Sequence, residues 1–484
     1  MSAPARAPLR LIPATLAASV AAALVAGSLA AGLLTAPSAG SAPSGAAAAS
    51  YGPAPGAGDG DRPGRLTPAE RRALQDLGTV FRHPGQTSDG KPGRLAPRRA
   101  QGRTCVDSLL SEQTYQIAPG ITIREWDQSQ QVTDPACRGP VRLNLLTVDL
   151  NAADIGFDYL GPKYVAKRKP LSRIAAPEGV IGAVNGDFFD ISDTGAPLGI
   201  GVDRERGLLH GAKDGWVDGS VGNATFWIDD TGPHVGAMAA KVKLKQHPKW
   251  PITKLNAPTV PPGSIGLYTP EWGWTKGYSV TDGQKYVREV VIVDGKVRSN
   301  RPLLSKGRKI KGQVLVGRDG AARQLKRLRV GQRISFKTKV QPGAQVAISG
   351  DRPILLGGIR TVINDTVMHP RTALGVDVDG RKLFLLVVDG RSTASRGFTM
   401  VELANTLQQL GADDALNLDG GGSSTLYSRL LTGEMGLVNE PSDGQERNVP
   451  NGFGVYYRGA WTPPVLISQT PAPTTPPPTT PPPA

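Results

Sequence analysis

Apolar and polar positions alternate along most of this chain in short runs, and a period of two predicts strands. Val141-Leu143-Leu145, Ile155-Phe157-Tyr159, Val287 to Val293 turning at Asp294-Gly295, Ile334-Phe336-Thr338-Val340, and Leu383 to Val388 all read this way. Helical periodicity is scarcer. Its clearest case runs from about Met400 to Leu410, opened by Thr399 with Glu402 three residues on and closed by Gly411. The mix predicts an α+β fold: mostly antiparallel sheet with a few packed helices and a basic β-rich excursion in the middle.

The two ends lack this patterning. Arg6 and Arg10 precede an almost uncharged Ala/Leu/Val run from Leu11 to about Leu34, with small residues after it. Residues 1–42 are therefore expected to be a secretory signal peptide, because small residues stand where a membrane-spanning helix would have basic stop-transfer residues. No later stretch is apolar for long enough to cross a bilayer, so no stable membrane insertion is expected after processing. The processed protein is expected to be secreted, extracellular or cell-wall associated. Residues 43–103 read as a flexible basic Pro/Gly/Ala tether with one short helix, whose capping box is Thr67-Pro68-Ala69-Glu70. Residues 460–484 read as a Thr/Pro-rich tail, and 104–459 as the folded domain. Cys105 and Cys137, an even pair in an oxidising compartment, are expected to close a disulfide contributing roughly 3–4 kcal/mol by loop entropy.

Charge adds a division that hydropathy does not show. Residues 241–340 hold 23 Lys+Arg against 5 Asp+Glu, a net +18 within a chain whose total is +15, while both neighbouring segments are acidic. This stretch is expected to form a basic lobe within the domain, either facing an anionic wall polymer or simply keeping the surface solvated. Nucleic acid is disfavoured as a partner, because Trp272 and Trp274 are not interleaved with the Lys/Arg run from Lys306 to Lys311.

Four apolar runs stop or start at polar groups. Val180 to Val184 leads into Asn185-Gly186-Asp187, and Thr372 to Val376 follows His369-Pro370-Arg371. Phe384 to Val388 ends at Asp389-Gly390-Arg391, and Ala415 to Leu418 ends at Asp419, Gly420, Gly421, Gly422, Ser423 and Ser424. Strand ends that carry Asp, Asn and Arg predict one site assembled from distant segments. The glycines lack Cβ atoms, so their backbone can approach a ligand and aim N–H groups at an anion. Each acid also has a structural explanation as a turn or loop brace, and Glu402 sits where helix capping alone would place it. There is no Gly-x-Ser-x-Gly elbow for a serine hydrolase and no recognisable spacing of His and Asp for a dimetal phosphodiesterase.

These blocks, with Gly397-Phe398-Thr399-Met400-Val401-Glu402-Leu403-Ala404 and a Gly-rich close at Asn451-Gly452-Phe453-Gly454, resemble the phosphodiester glycosidase family from about Val141 to Tyr457. The resemblance implies hydrolysis of the bond between a sugar's anomeric carbon and a phosphate oxygen, with a phosphodiester-linked glycan as substrate and no required cofactor. A divalent cation held by Asp389 or Asp419 stays open. On this reading Asp187, Asp389, Asp419 and Glu402 are the catalytic candidates. Arg371, with Arg391 or Arg447 as second choices, would grip the phosphate beside Gly420–Gly422, Ser423 and Ser424, while Asn185 and Asn417 would meet sugar hydroxyls. The alternative is a non-catalytic binding protein for phosphorylated cell-wall glycans.

Overall fold

The computed structural model describes residues 91, 93–96, 109–130, 138–215 and 223–470. The expected signal peptide, the helix after Thr67, and both Cys105 and Cys137 lie outside the described residues, as does the tail beyond 470.

The expected α+β class is corrected by the structure, which is mainly β: strand accounts for 49% and helix for 10% of the described residues. The α-helices among the described residues are short: α1 Leu171–Ala175, α2 Gly320–Leu325 and α3 Met400–Gln409. The physical reason lies in what covers the sheet faces. Along strand Lys382–Val388, Leu383, Leu385 and Val387 join one core with Leu146, Leu374 and Leu416, while Phe384, Leu386 and Val388 join a second with Leu403 and Leu407 of α3. One helix suffices for the second core. The first is closed by residues of further sheets, such as Phe226, Ile348 and Phe453, where helices had been expected.

Three large sheets result. In the nine-stranded sheet, strands Arg371–Asp377, Lys382–Val388 and Ala412–Asn417 are central, and Val465–Thr470, within the stretch assigned to the tail, forms an edge on Leu109–Ala118. The five-stranded sheet runs in the order Met435–Leu437, Leu426–Arg429, Gly182–Asn185, Gly452–Tyr457, Ile155–Leu160. In the eleven-stranded sheet, the basic segment supplies strands to both sides of a middle built from Gly201–Asp203, Gly207–Ala212, Asn223–Asp229 and Val346–Ser349. Val242, Leu255, Ile265, Val290 and Leu315 give it a core of its own. No helix among the described residues is long and apolar enough to cross a membrane.

Helix α3 begins as its sequence predicts. Thr399 Oγ1 accepts the Glu402 N–H at 3.2 Å, and the Glu402 carboxylate accepts the Thr399 N–H at 2.9 Å, a reciprocal capping box.

Candidate active site

Strand register brings the polar ends together. Arg371 pairs with Val388 and Ala373 with Asn417, so three strands of the nine-stranded sheet present Arg371, Asp389 and Asn417 at one end. In the five-stranded sheet Asn185 pairs with Gly452 and Val184 with Leu426, which gathers the starts of two strands around the end of a third. The two sheet ends are stitched directly. Asp419 N–H donates to the Gly186 carbonyl at 3.0 Å, and Asn185 Nδ2 donates to the Asp419 carbonyl at 2.7 Å. Asn185 Oδ1 accepts from Thr372 Oγ1 at 2.8 Å and from Thr425 N–H at 3.0 Å. Asn185 is thus the brace that fixes the separation of the sheets, with both side-chain ends engaged.

Asp187 stands two residues beyond that brace, 1% exposed. Its N–H donates to Asn451 Oδ1 at 2.8 Å and its Oδ2 accepts the Gly199 N–H at 2.7 Å, while its Oδ1 is buried without a hydrogen-bond partner. Burial pushes this carboxyl well above the usual range, the Gly199 N–H opposes the shift, and the neighbouring Asp419 charge reinforces it. Burial thus favours the neutral form of Asp187, and the Asp419 charge beside it acts in the same direction.

A third contribution comes from the eleven-stranded sheet. His210 Nδ1 lies 2.9 Å from the Gly199 carbonyl and must donate to it, so Nε2 accepts the Tyr159 O–H, also at 2.9 Å. His210 is wholly buried, and burial pushes its pKa down to about 4. The neutral imidazole therefore clamps the carbonyl of Gly199, the residue whose N–H holds Asp187. Ser349 Oγ accepts the next N–H, from Ile200, at 2.8 Å.

The glycine loop lies under an arginine. Gly421 is left-handed, φ 64°, and its N–H is spent on the Pro370 carbonyl at 2.9 Å. A Cβ on Gly422 would come within 2.0 Å of Arg447 Nη2 and 2.2 Å of Asp443 Oδ2, so the loop passes in direct contact with that ion pair. Arg447 Nε donates to Asp443 at 2.9 Å, and Nη1 lies 3.5 Å from Ser423 Oγ. Ser424 Oγ and Asn417 Oδ1 are buried without a hydrogen-bond partner. Such atoms are rare in native proteins and suit contact with a polar ligand.

The remaining candidates are engaged by partners of their own. Arg371 spends Nε on the Phe398 carbonyl at 3.0 Å and Nη2 on the Val367 carbonyl at 3.3 Å, and burial pushes its pKa down to about 10. Asn417 Nδ2 donates to Asp351 at 2.7 Å. Asp389 accepts from Asn439 Nδ2 at 3.1 Å and from the Glu440 N–H at 3.2 Å; burial outweighs these bonds and raises it to about 6. It is one residue removed from the loop, because Asn439 Nδ2 also reaches the Ser424 carbonyl at 3.1 Å. Arg391 is half-buried at a left-handed φ of 64°. Glu402 lies in the α3 cap, ion-paired to Arg396 at 2.8 Å and Arg138 at 3.4 Å. Among the described residues, no group of three or more His, Cys, Asp or Glu is placed to hold a metal ion.

Sequence reasoning missed Asn451, Tyr159, His210 and Gly199. Only Asn451 carried a signal, in its Asn-Gly-Phe-Gly block at the start of a strand.

Residues 272–456 match the sequence model of the phosphodiester glycosidase family, which bears out over that stretch the resemblance read from the motifs. Asn185 and Asp187 precede the matched stretch. Over 103 residues, 21% of this chain, the sequence is 39% identical to the N-acetylglucosamine-1-phosphodiester alpha-N-acetylglucosaminidase of Mus musculus, covering 18% of that protein. Over 91 residues, 19% of this chain, it is 38% identical to the prophage-derived protein YomE of Bacillus subtilis, covering 13% of it. The matches thus span under a fifth of the length of these relatives. A protein of Synechocystis shares the fold with a TM-score of 0.58 at 22% identity, over 72% of this chain and 64% of that one. A protein of Burkholderia pseudomallei does so with a TM-score of 0.58 at 18% identity, over 75% and 99%.

Proposed function

We propose that this chain is a secreted phosphodiester glycosidase, which hydrolyses the bond between a sugar's anomeric carbon and a phosphate oxygen and releases free sugar and a phosphomonoester. N-acetylglucosamine is the sugar suggested by the name of the murine relative. The observation that carries the reading is the juxtaposition of Asp187 and Asp419 beside the Gly420–Gly422 loop, at the junction of two sheets. A phosphodiester is anionic, and Arg447 against the loop supplies a fixed guanidinium to receive it. Phosphate leaves readily, so the main demand is stabilisation of positive charge at the anomeric carbon, which an ionised Asp419 would supply. A protonated Asp187 would donate to the departing oxygen or to a sugar hydroxyl, and the Tyr159–His210–Gly199 clamp would hold its direction.

The test is release of free N-acetylglucosamine from an alkyl or aryl diester of N-acetylglucosamine 1-phosphate by the full chain, with and without EDTA. Release unaffected by EDTA supports the reading with protein groups alone, and release lost to EDTA adds a divalent ion to it. Binding of the diester without release would overturn it in favour of a phosphoglycan-binding protein.

A further inference from the structure

A run of cations and aromatics leads away from the glycine loop, and none of the chemistry above uses it. Strand Lys169–Pro170 pairs with Asn448–Val449, so Arg168 and Arg447 flank one short ribbon. Arg168 lies 5.6 Å over the Phe189 ring and donates to the Ile191 carbonyl at 3.2 Å. Just upstream in the same loop, Val165 N–H donates to the Glu271 carbonyl at 2.8 Å, tying it to the segment that leads into Trp274. There Tyr164 meets Trp274 edge to face at 4.9 Å, Lys167 Nζ stands 5.7 Å over the Trp274 ring, and Lys163 Nζ stands 5.7 Å over Tyr164.

Strand Trp274–Lys276 then pairs with Lys306–Lys309, placing Trp274 opposite Lys309 and Lys276 opposite Lys306. The interleaving of aromatic and basic residues that the linear sequence lacks is therefore created by strand pairing. Trp272, by contrast, is a core residue at 1% exposure. Arg308 is turned to Glu289 at 2.9 Å and is spoken for. Burial and the Lys167 charge hold Lys276 below the ordinary lysine range, while Asp193 and Asp190 face it and oppose that shift.

We propose that this strip is a chain-binding subsite for a polymer of phosphodiester-linked sugars, with sugar faces stacked on Trp274 and Tyr164 and phosphates paired with Lys167, Arg168 and Lys309. The assignment rests on the glycosidase reading for the direction of the chain, since the strip begins at Arg447 and the loop beside the two aspartates. A repeating unit with one apolar ring face and one anion matches a surface that alternates flat rings with cations. A merely solvated basic face has no need to stack a lysine over a tryptophan that is itself packed on a tyrosine.

The experiment is equilibrium binding of poly(N-acetylglucosamine 1-phosphate) to the full chain and to two variants, Trp274→Ala and the double variant Lys167→Glu with Lys309→Glu. Each variant is expected to weaken polymer binding about tenfold at 0.1 M salt, with turnover of the small aryl diester within about twofold of the parent. At 1 M salt, where the Debye length falls to about 3 Å, the double variant should match the parent while Trp274→Ala still binds more weakly. Unchanged polymer affinity in both variants overturns the subsite, as does an equal loss on the small diester. Single-stranded DNA of matched length, bound as tightly and with the same dependence on Trp274, overturns it in favour of a nucleic-acid surface. If Trp274→Ala does not fold, Trp274→Phe with Tyr164→Ala reads the same stacking. Because binding and turnover are read separately, a chain that holds the polymer through this strip and cleaves nothing sinks the glycosidase reading and leaves the subsite standing.

Discussion

Replacing Glu402 by Gln takes one charge out of a cluster that is almost entirely shielded from water. The side chains of Glu402, Arg396 and Arg138 are 2%, 1% and 3% exposed. Glu402 Oε1 accepts from Arg396 Nη2 at 2.8 Å, and Oε2 accepts from Arg396 Nη1 at 3.0 Å and from the Thr399 N–H at 2.9 Å. Gln keeps the shape but turns one acceptor into an NH2 group aimed at donors. Arg138 keeps its bidentate contact with Asp365, 2.7 Å at each oxygen, so the loss falls on Arg396. Breaking a buried pair from one side costs about 3–5 kcal/mol, whereas loss of the cap alone, as in Thr399→Ala, costs about 1 kcal/mol. Urea unfolding followed by near-ultraviolet circular dichroism measures both. The double variant Glu402→Leu with Arg396→Met should recover most of the loss, because removing both charges leaves neither uncompensated. Turnover per folded molecule should stay near that of the parent in every variant. A Glu402→Gln protein that loses less than about 1 kcal/mol and about 100-fold in kcat would refute this reasoning and put Glu402 on the substrate.

Asp187→Asn and Asp419→Asn should each lower kcat about 100-fold or more with little change in unfolding midpoint, and a folded variant at parental turnover removes that residue from the chemistry. Gly422→Ala pushes a methyl into the heads of both Arg447 and Asp443; displacing that guanidinium should raise KM about tenfold with kcat held, and an unchanged KM would take Arg447 off the phosphate. Asp389, raised to about 6 by burial, holds its proton longer in the folded than in the unfolded state. Its contribution is fully present below about pH 4 and is lost as pH rises through about 6, so stability should decline across that window. Asp389→Asn should flatten the decline, and an identical slope in parent and variant would show that another group titrates there.

The strand ends were legible because a buried strand must stop at polar residues, so Asn185, Asp187, Asn417 and Asp419 stood out without any knowledge of what they face. Helix α3 was equally legible, since Thr399 and Glu402 satisfy each other within one turn. Their partners were not. Asn451 is brought to Asp187, and His210 to Gly199, only by sheet pairings that no local pattern encodes. Arg371 was legible as a strand-end cation, but not that two of its donors go to main-chain carbonyls or that Arg447 meets the loop. The fold class erred on what covers a two-faced apolar strand, which periodicity cannot specify. Leu383 and Phe384 are both buried, one over another sheet and the other beneath α3.

Strand Gly182–Asn185 lies in the middle of the five-stranded sheet, hydrogen-bonded on one side to Leu426–Arg429 and on the other to Gly452–Tyr457. Both neighbours, save Tyr457, fall within the stretch that matches the family, and the strand itself comes before it. A fragment cut at the start of that match would leave two strand edges facing an empty slot and would lack Asp187. Synthesis meets the same problem in time. Asn185 leaves the ribosome long before Thr425 and Asn451, so the emerging half carries an unpaired strand until nearly the whole domain has been made. The nascent chain must keep that edge from pairing elsewhere, and the two aspartates can meet only when one of the last strands slides in beside it.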